Sequence, residues 1–279
     1  VNDTIAEQMQ KLRVKDSPRL WKQDAKFYDA MNYDKMVSIY HDRFQDASDF
    51  TFYLVGNIQR EEAQKLVAKY LGAIPSIHRI EKAVQHDLRK EGSITETITA
   101  NIPDNKYMTN IEFTNTLKLK PVEDLAMDVI RFVLSNRYQD IIREDEGGAY
   151  GVNVAASYTA YPKHTQAIAI NFQSNTEQGD RMRAIIHEQI DKLVAEGVSE
   201  EDVEDMVLMM KKGRTNMLAN RGNAHWQEAL RYYAETGKDI DSPVMFEQPI
   251  EKLNAKIVHE VAKKFFTTAE CVDIVVRSK

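Results

Sequence analysis

The segment from Ser93 to Glu196 constrains the fold most, because pairs of strand-like runs alternate there with long amphipathic helices. The predicted elements are strands at 93–102 and 107–117, a helix at 121–143, strands at 149–158 and 165–173, and a helix at 177–196. The strands show apolar residues at every second position, and the helices show them at intervals of three and four. The turn sequence Pro103-Asp104-Asn105 indicates that the strand pairs are hairpins. This order predicts an α+β fold with a mainly antiparallel sheet packed against helices.

The two ends of the chain show a weak repeat at an offset of 222 residues. A helix leads into the strand-like run Asp49-Phe-Thr-Phe-Tyr-Leu-Val55 near the start, and a helix predicted at 251–266 leads into Val272, Ile274 and Val276 near the end. The repeat predicts two related domains in tandem, of which the first is truncated. The predicted organisation is a truncated domain at 1–76, a linker at 77–91 and a complete domain at 92–279.

Composition argues against several classes of function and structure. The net charge of −6, with both signs interspersed, argues against a surface for the phosphates of nucleic acids. No apolar run approaches the roughly 20 residues that a membrane-spanning helix requires. Cys271 is the only cysteine, so an intrachain disulfide is excluded, and its surroundings in sequence favour a buried structural thiol. The chain opens at Val1 on a polar stretch, and we expect it to be a fragment of a longer protein.

The segment Arg143-Glu-Asp-Glu-Gly-Gly-Ala-Tyr150 joins the helix predicted at 121–143 to the next strand. Gly147 and Gly148 permit a sharp turn and a close approach of backbone, which would let Arg143 and Tyr150 reach the same place. An arginine offers a planar fork of donors to carbonyl or carboxylate oxygens, and a tyrosine offers one hydroxyl donor. The spacing alone favours a structural interpretation, because Arg143 suits a helix C-terminus and Tyr150 suits a strand surface.

Three places together resemble the C-terminal part of the pitrilysin/insulinase-like zinc metallopeptidases. They are the run 50–57 with the following helix that ends Lys69-Tyr-Leu-Gly-Ala-Ile-Pro75, the segment 134–150 with Tyr161-Pro162, and Asn223-Ala-His-Trp226 with Gly237-Lys-Asp239. The resemblance implies the insulinase-like α+β domain in tandem and an endopeptidase that encloses its peptide substrate in a chamber. It also implies that Arg143 and Tyr150 act on the substrate at a zinc site built by another domain. We expect Gly147, Gly148, Val152 and Val154 to line the substrate, the last two along a strand edge that pairs with an extended peptide.

The zinc motif of that family, His-x-x-Glu-His, does not occur in this chain. We therefore expect zinc in the full-length enzyme, no zinc ligand in this chain, and no peptidase activity from this chain alone. His187 and Asp191 are four residues apart on a predicted helix, but two ligands do not make a metal site, and a solvated polar face is favoured. The expected partners are a peptide substrate and an N-terminal peptidase half, in the same chain or in a partner subunit. A periplasmic or other extracytoplasmic location of the parent is favoured.

Two other functions stay open at this point. The chain could belong to a non-catalytic relative that serves as a structural or assembly subunit of the same superfamily. It could also be an unrelated peptide-binding module that uses an exposed sheet edge.

Overall fold

The computed structural model describes residues 2–82, 84–146, 151–159 and 163–279. The chain divides into two compact units. The first, which we call the sheet unit, comprises Val1–Lys15, Asp87–Leu218 and Asp241–Lys279. The second, which we call the helical unit, comprises Asp16–His86 and Ala219–Ile240. The predicted division into 1–76, 77–91 and 92–279 stays a prediction.

The sheet unit contains one mixed sheet and the helices that pack on it. Its strands are β1 (Ile94–Ala100), β2 (Lys106–Asn115), β3 (Asn153–Thr159), β4 (Thr165–Asn171), β5 (Gln173–Asn175) and β6 (Glu270–Ser278). Its helices are α1 (Asn2–Arg13), α5 (Pro121–Glu146), α6 (Thr176–Glu196), α7 (Glu200–Ala219, which ends at the unit boundary), α9 (Glu247–Ile250) and α10 (Ala255–Thr268). The helical unit contains α2 (Ala25–Asp29), α3 (Tyr33–Phe44), α4 (Arg60–Leu66), a π-helical turn at Val67–Leu71 and α8 (Asn223–Thr236).

The strand order is β1-β6-β2-β4-β3, and β5 also pairs with β2. The β1–β6 pair is parallel, and the pairs β2–β6, β2–β4, β2–β5 and β3–β4 are antiparallel. The predicted α+β class with a mainly antiparallel sheet is therefore confirmed. The predicted β3–β4 hairpin is also confirmed, with Val154 opposite Ile170.

The predicted β1–β2 hairpin is wrong, because β6 lies between these two strands. Strand β6 is apolar on both faces: Val272, Ile274 and Val276 belong to one buried cluster, and Val275 belongs to the other. A strand with two buried faces is stable only inside a sheet. The C-terminal strand β6 therefore lies beside β2, at the position that β1 would occupy if the turn at 103–105 formed a hairpin.

The two faces of the sheet are covered differently. Helices α5, α6 and α10 pack on one face and form the main core with large side chains that are fully buried, among them Tyr107, Tyr138, Leu134 and Phe265. Helix α1 packs on the other face, where Ile5, Met9 and Leu12 contact the cluster that includes Ile98 and the even-numbered residues of β6. At the end of α1, Arg13 and Arg89 pair with Glu112 of β2.

The helical unit is built differently, because Asp46 is its only buried residue in the part that the structure describes. The Asp46 carboxylate accepts hydrogen bonds from the backbone N–H groups of Ser48, Ile77 and Arg79 and from the Ser48 hydroxyl. These bonds, of which the one from the Ser48 hydroxyl has the largest effect, lower the pKa of Asp46. The strand predicted at Asp49–Val55 is not formed: residues 51–55 have no ladder partner among the described residues.

Candidate functional site

The predicted catalytic segment, 143–150, begins within helix α5 of the sheet unit. Arg143 lies in the last turns of this helix, but its side chain is outside the described residues, as are Gly147, Gly148 and Tyr150. The proximity of Arg143 and Tyr150 therefore stays a prediction. What the structure gives is the frame on both sides of the segment, namely α5 before it and β3 after it.

Helix α5 is held rigidly where it approaches the segment. Tyr138 is fully buried, and its hydroxyl donates a hydrogen bond to the Ile186 carbonyl oxygen of α6 at 3.1 Å. Burial raises the pKa of Tyr138, so its hydroxyl stays a donor at physiological pH. Arg137 reaches the Gly197 carbonyl oxygen at the end of α6 at 3.0 Å. These bonds fix the orientation of α5 and therefore the direction in which its backbone approaches Arg143.

Strand β3 lies at one end of the strand order, so one edge of its backbone has no neighbouring strand in the described sheet. Val152 and Val154 are each 7% exposed and belong to the main core. Their side chains therefore anchor the strand and cannot be the groups that touch a ligand. Recognition of a peptide at this place would use the free backbone edge, and this role of β3 stays a prediction.

A cavity of about 420 Å³ lies beside the last described turns of α5. Its described lining consists of Ile141 on α5 and of Arg181, Ala184, Ile185, Glu188, Gln189 and Lys192 on α6. Ile141 is two positions before Arg143 in the sequence.

A polar cluster that the sequence analysis did not predict lies between α6 and the central strand β6. The Asp273 side chain is 3% exposed and accepts hydrogen bonds from Arg183 Nε at 3.0 Å and Nη2 at 2.7 Å. His187 Nε2 lies 2.7 Å from the same carboxylate. Burial alone would raise the pKa of Asp273, but the hydrogen bonds from His187 and Arg183 outweigh burial and lower it. His187 on α6 therefore has a structural partner on β6. The interpretation of His187 as part of a solvated face with Asp191 is corrected.

Two further side chains lie near this polar cluster, one on β2 and one on β6. Tyr107 is fully buried and donates from its hydroxyl to Asp180 at 2.7 Å. Cys271, two positions before Asp273 on β6, is partly buried, and its burial raises the pKa of the thiol to about 11. A thiol with this pKa is protonated and unreactive at neutral pH, as expected for a structural cysteine.

No cluster of three or more His, Cys, Asp or Glu side chains that could hold a metal ion occurs in the part of the chain that the structure describes. These residues therefore do not fit a resident zinc ion. Among the helices in the same part of the chain, none is both long enough and apolar enough to cross a membrane.

Comparisons with known proteins identify relatives of this chain by sequence and by fold. Residues 30–210 match the family model described as the peptidase M16 inactive domain. The probable zinc protease PqqL of Escherichia coli K12 is 23% identical over 163 residues, which are 58% of this chain and 17% of PqqL. The probable zinc protease PqqL of Haemophilus influenzae is 20% identical over 173 residues, which are 61% of this chain and 18% of that protein.

The solved structures show the same fold across the whole chain. The ferredoxin protease FusC, solved as an E83A mutant with Arabidopsis ferredoxin, superimposes with a TM-score of 0.82 at 16% identity, over all of this chain and 30% of FusC. The periplasmic protease PqqL of E. coli gives a TM-score of 0.78 at 18% identity, again over all of this chain and 30% of that one. The chain thus spans less than a third of these two proteins. The predicted relationship to insulinase-like zinc peptidases is confirmed: the chain belongs to the family of the peptidase M16 inactive domain.

Proposed function

We propose that this chain is the non-zinc part of a zinc-dependent endopeptidase and that it binds and orients a peptide at a metal site formed by a separate peptidase half. The observation that carries this proposal is the match to the M16 inactive domain over most of the chain. It is supported by the sequence, which has no His-x-x-Glu-His motif, and by relatives that are described as zinc proteases. The peptidase half would belong to the same polypeptide or to a partner subunit.

The residues proposed to act on the substrate are Arg143 and Tyr150. The phenol of Tyr150 would donate a hydrogen bond to the oxygen of the scissile carbonyl as negative charge develops on it. The guanidinium of Arg143 would hold backbone carbonyls of the peptide with two parallel bonds. Zinc on the other half would supply the Lewis acid and the activated water. Gly147 and Gly148 would let the chain turn, and the backbone of Val152 and Val154 would lie along the extended peptide.

The proposed substrate is a segment of a protein chain held in an extended form inside the enclosed space between the two halves. FusC is described as a ferredoxin protease, so proteins as well as short peptides are included in this proposal. A periplasmic location is proposed from the relative PqqL, which is described as a periplasmic protease.

The test is the Tyr150→Phe substitution in the complete enzyme. Loss of one oxyanion donor lowers kcat by about 10²–10³, and because the contact is made mainly in the transition state, KM changes less. Tyr158→Phe is a matched control, since Tyr158 is an exposed tyrosine on β3 whose hydroxyl lies 2.8 Å from His164 Nδ1. Arg143→Lys is expected to lower activity and raise KM, because a single ammonium cannot form the bidentate contact.

A second function, that of a non-catalytic structural or assembly subunit, is favoured by the description of the matched family model as inactive. Two observations distinguish these functions. Full kcat in the Tyr150→Phe enzyme would refute the substrate-handling role. Absence of His-x-x-Glu-His from the peptidase half of the same protein would favour the second function.

A further inference from the structure

Helix α5 is held in the sheet unit by two kinds of contact. Its buried apolar side chains, among them Val133 and Leu134, pack in the main core. Apolar contacts are non-directional, so they hold the helix in place but specify its rotation about its own axis less strictly. A hydrogen bond needs a defined distance and angle, and it therefore specifies that rotation. Arg137 and Tyr138 each donate such a bond from α5 to a backbone carbonyl of another element.

The bond from Arg137 ends on a carbonyl group that is itself held in place. Arg137 Nη2 donates to the carbonyl oxygen of Gly197, the C-cap residue of α6, at 3.0 Å. Carbonyl groups at a helix C-terminus lack partners within the helix and carry the negative end of its dipole, so a guanidinium suits them. The N–H group of Gly197 bonds back to the Leu193 carbonyl oxygen at 3.0 Å. The acceptor of Arg137 is therefore a fixed part of the end of α6.

Helix α10 also contacts the end of α6. Gly197 is buried with a φ of +83°, and a Cβ atom added to it would lie 2.9 Å from His259 Cγ on α10. Glycine therefore serves both the backbone conformation and the close approach of α10. His259 Nε2 lies 2.9 Å from the carbonyl oxygen of Val194, three residues before Gly197. The carbonyl that Arg137 binds is thus held by contacts of α10 as well as by α6.

Arg137 precedes Arg143 by six residues in the same helix. Six residues extend about 9 Å along a helix axis. A rotation of the helix by about 10° moves an atom at an outer radius of about 6 Å by about 1 Å. A misplacement of about 1 Å at a catalytic or binding group can cost about 10²-fold in rate. A contact that specifies the rotation of α5 therefore bears on the action of a side chain at position 143.

We infer that Arg137 is a positioning residue: its bond to the Gly197 carbonyl sets the rotation of α5 and thereby places the Arg143 guanidinium on the peptide. The inference rests on the proposed function, in which Arg143 holds the substrate. Arg137 acts through Arg143 and does not touch the peptide, because its guanidinium binds the end of α6. Tyr138 supports the same orientation, but its ring is part of the core, so Arg137 gives the cleaner test.

The first measurement is the steady-state kinetics of the complete enzyme with Arg137→Met, which removes every donor and keeps an unbranched side chain. We expect kcat/KM to fall by at least about 10-fold and KM to rise, the pattern expected for Arg143→Lys. Arg137→Lys should restore much of the loss, because an ammonium can donate to the same carbonyl. Gln139→Ala is the matched control, since Gln139 is exposed on the same helix. Unchanged kinetics in Arg137→Met, with a lowered Tm, would show a bond that only stabilises the fold and would overturn the inference.

The second measurement combines Arg137→Met with Arg143→Lys. Because Arg137 acts through Arg143, the double variant should be close in kcat/KM to Arg143→Lys alone. Losses that multiply would assign Arg137 a separate structural role and would overturn the inference. Arg143→Lys alone tests the proposed function, since full activity of that enzyme would refute the role of Arg143 on the substrate. A damaging Arg143→Lys together with a harmless Arg137→Met would overturn the positioning role alone.

Discussion

Asp273→Asn should destabilise the sheet unit through the polar cluster between β6 and α6. The substitution keeps the shape of the side chain but removes the charge that Arg183 and His187 face. Breaking a buried ion pair by removing one partner costs about 3–5 kcal/mol. The Arg183 and His187 side chains are 28 and 38% exposed and can turn partly toward water, so the lower end applies. We expect a loss of about 3 kcal/mol, or roughly 6–12 °C in Tm.

The pH dependence of this effect has a defined sign. The folded-state pKa of Asp273 is lowered, so the charged form is stabilised by folding. Its contribution is fully present above the pKa of about 3.9 that an unfolded aspartate has, and it is lost as the pH falls through the folded-state value. The stability difference between wild type and Asp273→Asn should therefore be largest near pH 7 and shrink below about pH 4.

The assay is urea unfolding followed by far-UV circular dichroism, at pH 7 and at about pH 2.5, well below the pKa of an unfolded aspartate. Glu188→Gln is the control, because Glu188 pairs with Lys192 at 2.8 Å on the exposed face of the same helix and such a pair contributes only about 0.5 kcal/mol. A loss below about 1 kcal/mol at pH 7 would show that the cluster is as weak as a surface pair. A difference that does not depend on pH would refute the assigned role of the carboxylate charge.

Two further predictions concern packing and the stability of the units. Gly179→Ala should destabilise the chain by at least about 3 kcal/mol, since the added Cβ would lie 2.1 Å from the buried Tyr107 ring, whereas Gly213→Ala, with no atom within 4 Å, should be neutral or stabilise its helix by up to about 1 kcal/mol. Thermal denaturation compares these two variants directly, and equal midpoints would contradict the packing argument. Trp21 and Trp226, the only tryptophans, both lie in the helical unit, so intrinsic fluorescence should report an unfolding transition at lower urea than circular dichroism does. Coincident transitions would show that the helical unit is as stable as the sheet unit.

The local elements of the sheet unit could be predicted because their patterns are local. Helices α5 and α6 begin and end within a few residues of the predicted bounds, since Pro121 suits a first helical turn and Gly197 follows the last one. The position of β6 could not be predicted, because its pairing with β1 and β2 joins residues more than 150 positions apart. A turn signal such as Pro103-Asp104-Asn105 specifies that the chain reverses and leaves open which strand fills the space beside it.

The candidate site could likewise be predicted from the sequence only in part. Arg143 and Tyr150 were predicted to act on the substrate from a resemblance, whereas their spacing alone favoured a structural role. The Asp273 cluster had a signal in the sequence, namely one carboxylate within the apolar run from Cys271 to Val276. A buried charge requires a partner, so that signal predicts a cation nearby. The sequence does not show which arginine or histidine is the partner of Asp273, because the pairing depends on how α6 crosses the sheet.

The strand run at 50–55 failed to form a strand for a different reason. Its alternation and residue types favour a strand, but a strand needs hydrogen-bonding neighbours, and none lies beside it in the described residues. A pattern of period two therefore indicates a capacity to pair and says nothing about whether the partner belongs to the same chain.

Asp273 also explains how an apolar central strand keeps its register. Strand β6 has apolar residues on both faces, so a slip by one residue would cost little hydrophobic burial. Such a slip would turn Asp273 away from Arg183 and toward the apolar side chains of Ile5 and Met9 on α1. An unpaired carboxylate there would be strongly unfavourable. Because β2 pairs with β6 and β4 and β3 follow in turn, the ion pair of Asp273 favours the observed register in the sheet to which β3 belongs.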